Sequence, residues 1–154
     1  MTDKLRVGII GSGGIAEGAH APGYMAIPDD CELVACCDVR PERAKAFAER
    51  FDLAHWYTDY RELLTLPELD AVSVCTPPFM HRDATVAALD AGLHVLCEKP
   101  MAMNVAEAQD MVATAERAGK VLTIGHQQRF SPAAQAVKRA VDAGELGDIY
   151  YAKT

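Results

Sequence analysis

The chain has 154 residues, half of them hydrophobic and 24% charged, the make-up of one globular domain with its own core. Fifteen basic residues stand against 22 acidic ones, and the resulting charge of −7 argues against a general nucleic-acid or anionic-membrane surface. The apolar run at residues 5–10 is too short for a signal-peptide core or a membrane span.

Leu5 to Ile10 reads as a buried strand that breaks into glycines and resumes as a helix from about Gly14 to Met25. Gly11, Gly13 and Ala16 keep the G-x-G-x-x-G/A spacing of a dinucleotide-binding turn. Gly11 lets the chain leave the strand tightly. Gly13 lets a pyrophosphate approach the backbone, and Ala16 lets the helix pack on the strand. The free N–H groups of the helix start then face the phosphates. Such a turn alone serves chain reversal as readily as a ligand, so the rest of the chain has to decide.

Pro28, Asp29 and Asp30 form a turn before a second apolar strand, Cys31 to Cys37, which ends at Asp38. Pro41 opens a helix to about Phe51 with Ala44, Phe47, Ala48 and Phe51 on one face. His55 to Tyr57 is a short strand, and Asp59 caps a short helix through Leu64. Ala71 to Cys75 is a third clear strand, stopped by Pro77 and Pro78. A helix from His81 to Ala91 closes at Gly92, and His94 to Cys97 leads as a strand into Glu98-Lys99-Pro100. Asn104 and Glu107 make a capping box for a helix ending at Gly119. Val121 to Ile124 is a strand, Ser131 and Pro132 open a helix that stops at Gly144, and Asp148 to Lys153 reads as one more strand. This alternation predicts an α/β fold, a doubly wound parallel sheet with helices on both faces.

The five cysteines are odd in number, form no C-x-x-C, and sit mostly in apolar strands, which suits buried thiols in a reducing cytoplasm. The five histidines lack metal-ligand spacing, so no metal site is expected.

Asp38 lies 22 residues after Ala16, where a carboxylate hydrogen-bonds the adenosine ribose. It would repel the extra phosphate of NADP and so favours NAD, while Arg40 beside it could hold that phosphate or stack on adenine. Three more groups fall at strand ends, the ligand edge of such a sheet. They are Cys75-Thr76-Pro77-Pro78 with His81, Glu98-Lys99-Pro100, and Gly125 to Phe130. Each has a bland alternative as a turn or helix start, and their convergence raises the functional reading. Lys99 beside a nicotinamide could hydrogen-bond a substrate hydroxyl and stabilise the alkoxide that develops, with burial lowering its pKa. Glu98 could accept a bond from a ribose hydroxyl.

Val7 to Ala16, Asp38, Thr76-Pro77 with His81, Glu98-Lys99-Pro100-Met101, Gly125 to Phe130 and Gly144-Glu145-Leu146-Gly147 together resemble the glucose–fructose oxidoreductase and inositol 2-dehydrogenase family of NAD(P)-dependent oxidoreductases. The resemblance covers the whole chain. It implies a Rossmann-type domain over residues 1–147, with 148–154 beginning a second, substrate domain that is truncated here. It implies hydride transfer to or from a sugar, cyclitol or related polyol, with NAD preferred or NADP as cofactor. Lys99 would be the catalytic lysine, often followed by a cis peptide to Pro100. Gly11, Gly13, Gly14, Ile15, Asp38, Val39, Arg40, Thr76, Pro77, His81, Glu98, Lys99 and Gln127 would line the cofactor. Pro78 departs from the family, many of whose members carry a polar residue there. A homo-oligomer is a further implication. The competing reading is a dinucleotide-binding module that catalyses nothing; a fold that has lost its cofactor is a weaker third. The apolar segment Ile149-Tyr150-Tyr151 is expected to be disordered or to exchange with another chain.

Overall fold

The computed structural model describes residues 4–153; Met1–Asp3 and Thr154, the outer ends of the two expected domain spans, lie outside the described residues. Six strands form one parallel sheet: β1 (Leu5–Ile10), β2 (Cys31–Cys37), β3 (His55–Tyr57), β4 (Ala71–Val74), β5 (His94–Cys97) and β6 (Leu122–Ile124). Their order is β3-β2-β1-β4-β5-β6. The winding therefore reverses between β1 and β4, and the crevice outside that point is where ligands bind in open α/β sheets.

The strands are buried on both faces, so successive residues enter two different cores. Ile9, Cys36 and Cys75 face one core with Ala16, Ala21, Phe47 and Ala48. Ile10, Cys37 and Val74 face the other with Leu63, Ala88, Leu89 and Met111. The first core is closed by α1 (Ala21–Met25) and α2 (Pro41–Phe51). The second is closed by α3 (Tyr60–Leu63), α4 (His81–Asp90) and α5 (Val105–Ala118). Phe47 is fully buried, and removing a ring from such a site costs roughly 3–5 kcal/mol.

The expected caps are present. Asp59 accepts from Arg61 N–H at 2.9 Å. Asn104 Oδ1 accepts from Glu107 N–H at 3.0 Å, and Glu107 reaches back to Met103 N–H rather than to that of Asn104. Ser131 Oγ accepts from Ala134 N–H at 3.1 Å, starting α6 (Pro132–Asp142).

Three local features depart from the expectation. The first helix begins at Gly14, but Ala16–His20 is wound wide, with Ala21 N–H bonding Ala16 O, before α1 continues. Short 3-10 turns, Pro78–Met80 and Gln127–Phe130, precede α4 and α6. Finally, residues 148–153 form no strand. Ile149, Tyr150 and Tyr151 stay exposed instead of packing on the body.

Candidate functional site

The sheet ladder runs past the strand ends into four successive turns. Gly11 N–H donates to Cys37 O, Cys75 N–H to Ile10 O, Glu98 N–H to Val74 O, and Gly125 N–H to Cys97 O, all at 2.7–2.9 Å. The turns after β1, β4, β5 and β6 are thereby aligned along one edge.

Gly11 has φ +96°, and a Cβ there would lie 2.8 Å from the Cys75 carbonyl and 2.9 Å from Thr76 N. Only glycine fits, because both the backbone angle and the neighbouring strand forbid a side chain. Gly13 and Gly14 differ: a Cβ at either would meet no atom within 4 Å. The protein itself has no packing need for glycine there. The open space lies over the helix start, which fits a pyrophosphate that must touch backbone.

Asp38 is half-buried at the end of β2 and held in place by two backbone donors. Ser12 N–H bonds Oδ2 and Arg40 N–H bonds Oδ1, both at 3.0 Å. Each oxygen keeps a lone pair for an outside hydroxyl. Val39 and Arg40 are exposed beside it. The glycine turn and the strand-end carboxylate are therefore physically joined.

Thr76 Oγ1 is buried without a hydrogen-bond partner among the described residues. His81 is fully buried, and its ring nitrogens lie 2.7 Å from Pro100 O and 2.8 Å from Thr76 O. His81, expected near the cofactor, thus sits directly behind the β4 turn that carries Thr76. Both ring edges are occupied, so His81 clasps the β4 turn to the β5 turn and leaves no nitrogen for a ligand. Pro77 and Pro78 lead into the 3-10 turn.

The Lys99–Pro100 peptide is cis. Lys99 is exposed. Glu98 is the buried member of the pair, with Oε2 accepting from Lys99 N–H at 3.2 Å and Oε1 facing His20 Nε2 at 3.0 Å. A cavity of about 480 Å³ opens here. Ile15, His20 and Tyr24 form one wall, and Glu98, Gly125 and Gln127 the other. Leu96 of β5 and Thr123 of β6 also line it.

Three polar residues of this region carry no sequence motif: His20, Tyr24 and Ser73. The available signal was Ser73, a polar residue inside the apolar strand Ala-Val-Ser-Val, which needs a buried partner. His20 and Tyr24, four apart on one helical face, supply it. Gly125 was also legible only in space, since a Cβ there would lie 2.9 Å from Glu98 Oε1.

Burial pushes all five thiols up, Cys36 and Cys97 to about 11 and Cys37 to about 12, so they are protonated and unreactive at neutral pH. Among the described residues no group of histidines, cysteines and carboxylates could hold a metal, and no helix is long and apolar enough to cross a membrane.

The family described as an oxidoreductase family with an NAD-binding Rossmann fold matches residues 5–126. D-glucoside 3-dehydrogenase of Escherichia coli is 43% identical over 97% of this chain and 42% of its own length. Among solved structures, the WlbA dehydrogenase of Bordetella pertussis in complex with NADH and UDP-GlcNAcA superposes with a TM-score of 0.90 at 31% identity. That match covers 96% of this chain and 45% of the other. KijD10, a 3-ketoreductase from Actinomadura kijaniata in complex with TDP-benzene and NADP, gives a TM-score of 0.86 at 34% identity, covering 92% and 44%. The chain thus spans under half the length of these relatives. Its parallel sheet, glycine turn and strand-end carboxylate agree with the match over residues 5–126, and the chain belongs to the NAD-binding, Rossmann-fold oxidoreductase family.

Proposed function

We propose that this chain forms the dinucleotide-binding part of an NAD(P)-dependent dehydrogenase acting on a sugar, cyclitol or related polyol. The observation that carries the reading is the row of four stitched turns, which gathers Gly11, Asp38, Thr76 and Glu98-Lys99 on one sheet edge. In this reading Gly11, Gly13, Gly14 and Ile15 receive the pyrophosphate on backbone N–H groups. Asp38 accepts from the adenosine ribose, with Val39 and Arg40 beside the adenine. Its negative charge favours NAD over NADP. Thr76 and Pro77 border the middle of the cofactor, with His81 holding Thr76 from behind. Glu98, Lys99 and Gln127 take the nicotinamide end. A nicotinamide held there would supply or accept the hydride, and Lys99 would move the proton at the substrate hydroxyl.

The carbinol substrate class is supported by the D-glucoside 3-dehydrogenase match. Domain boundaries at 147/148 belong to the same proposal, as does a homo-oligomer, for which the exposed Tyr150 and Tyr151 are the supporting observation. A cytoplasmic setting is supported by five free, buried cysteines.

Titration with NADH and NADPH by fluorescence, followed by a sugar and polyol panel, tests the reading. Saturable binding with preference for NADH is expected. Binding with no turnover on any member of the panel favours the non-catalytic module instead. Where turnover is seen, Lys99→Ala lowers it by about 10²–10⁴ while NADH affinity stays within a few-fold. Absence of binding to either cofactor overturns the proposal.

A further inference from the structure

His20 has no role in the reading above, yet it is the most constrained polar group beside the cavity. Its side chain is 8% exposed and that of Glu98 10%. Nε2 lies 3.0 Å from Glu98 Oε1, and Nδ1 lies 3.1 Å from Ser73 Oγ. Tyr24 Oη lies 2.6 Å from the same Ser73 oxygen.

With a neutral imidazole, one arrangement of protons satisfies every member. An ionised Glu98 only accepts, so His20 donates from Nε2. Nδ1 then accepts from the Ser73 hydroxyl, whose oxygen accepts from the Tyr24 hydroxyl. Burial raises Tyr24 above the ordinary tyrosine range, which keeps the proton on that end. The hydrogen-bond chain runs in one direction and terminates on Glu98 Oε1. Glu98 Oε2 is held by Lys99 N–H at 3.2 Å. The Gly125 backbone closes the remaining side, where a Cβ would come within 2.9 Å of Oε1. Glu98 is thereby anchored from the first helical segment, from β4 by way of Ser73, and from its own turn.

We infer that His20 is a positioning residue: through the buried Tyr24–Ser73–His20–Glu98 chain it fixes the Glu98 carboxylate, and with it the Glu98–Lys99 turn at the mouth of the cavity. The inference rests on the proposal that this turn meets the nicotinamide half of the dinucleotide. The wide turn at Ala16–His20 serves the same end, since it links the phosphate-binding helix start to a side chain that reaches β5.

The test compares NADH with ADP-ribose, which lacks the nicotinamide, on the 154-residue chain. His20→Phe is expected to weaken NADH about tenfold and to leave ADP-ribose within about twofold, as loss of a hydrogen bond to a charged group at one end implies. His20→Gln, which keeps an amide donor, is expected to recover most of the NADH affinity. Equal losses for both ligands, or unchanged NADH affinity, would overturn the inference. If the wild type binds neither ligand, the proposed function fails, and NMR of the unliganded chain still decides the matter. The expected state is an Nε2–H tautomer for His20; an Nδ1–H tautomer refutes the chain of bonds. The same measurement decides if His20→Phe does not fold.

Discussion

Asp38 and Glu98 end strands on the same edge of one sheet, and their carboxylates are held in different ways. Asp38 is half-buried and, among the described residues, tied only by backbone N–H groups of Ser12 and Arg40. Glu98 is buried and, besides the backbone N–H of Lys99, is tied by a side chain, the imidazole of His20. Backbone donors come with the turn itself and are indifferent to side-chain identity. Side-chain donors must be carried in from elsewhere, here from 78 residues away. One end of the site is therefore built by local chain geometry and the other by tertiary packing.

Gly11→Ala tests the local end most severely. A methyl group would strike backbone of β4's turn on a strained φ, so a loss of more than about 3 kcal/mol is expected in chemical denaturation. A wild-type midpoint would break the account of that turn. At the tertiary end, Glu98→Ala removes the acceptor of a buried imidazole and leaves a void against Gly125. A loss of roughly 2–3 kcal/mol is expected, against under about 1 kcal/mol for Asp38→Ala in the same assay. Equal losses would erase the contrast.

Titration of the strands sharpens it from another side. Cys37 precedes Asp38 and Cys97 precedes Glu98; burial holds them at about 12 and about 11 against an ordinary 9.0. The unfolded chain gives up these protons first as pH rises. Their contribution is complete below pH 9 and is lost from there toward 12, at up to about 1.4 kcal/mol per pH unit for each thiol. Stability measured against pH is expected to fall over that window, and Cys37→Ala and Cys97→Ala to flatten it alike up to about pH 11, with Cys37→Ala alone flattening it beyond. Similar flattening would show that the strands are equally dry and that the difference lies in the turns. A curve that stays level to pH 11 would contradict the burial of both.

Asp38→Ala is expected to cost about tenfold in NADH affinity and to narrow the preference over NADPH, read by fluorescence titration. Gly13→Ala is the smallest expected effect on stability, within about 0.5 kcal/mol, because its Cβ meets nothing within 4 Å. It should nevertheless weaken NADH, separating a glycine kept for the ligand from one kept for the fold.

Much of this was legible in the chain. The strand–helix alternation, the caps at Asp59, Asn104 and Ser131, and the closing Gly119 each depend on residues a few positions apart, where propensity and capping act. Asp38 was legible because the spacing from the glycine turn reflects one strand–helix–strand unit. His81 was legible in part: its place beside Thr76 is local, whereas its bond to Pro100 is not. Residues 148–153 carry strand-forming residues, but a strand also needs a partner, and no pattern within the segment supplies one.

The sequence by itself determined the order of elements, the phosphate-binding turn and the family, since each is written in short-range spacing. Only the tertiary structure decided which polar groups the sheet would bring together. Ser73, His20 and Glu98 lie on three separate elements, and nothing in their local sequence distinguishes them from an ordinary strand serine, helix histidine and loop glutamate. Their partnership follows from burial, because polar groups shut away from water must satisfy one another, and which ones meet is set by the fold as a whole.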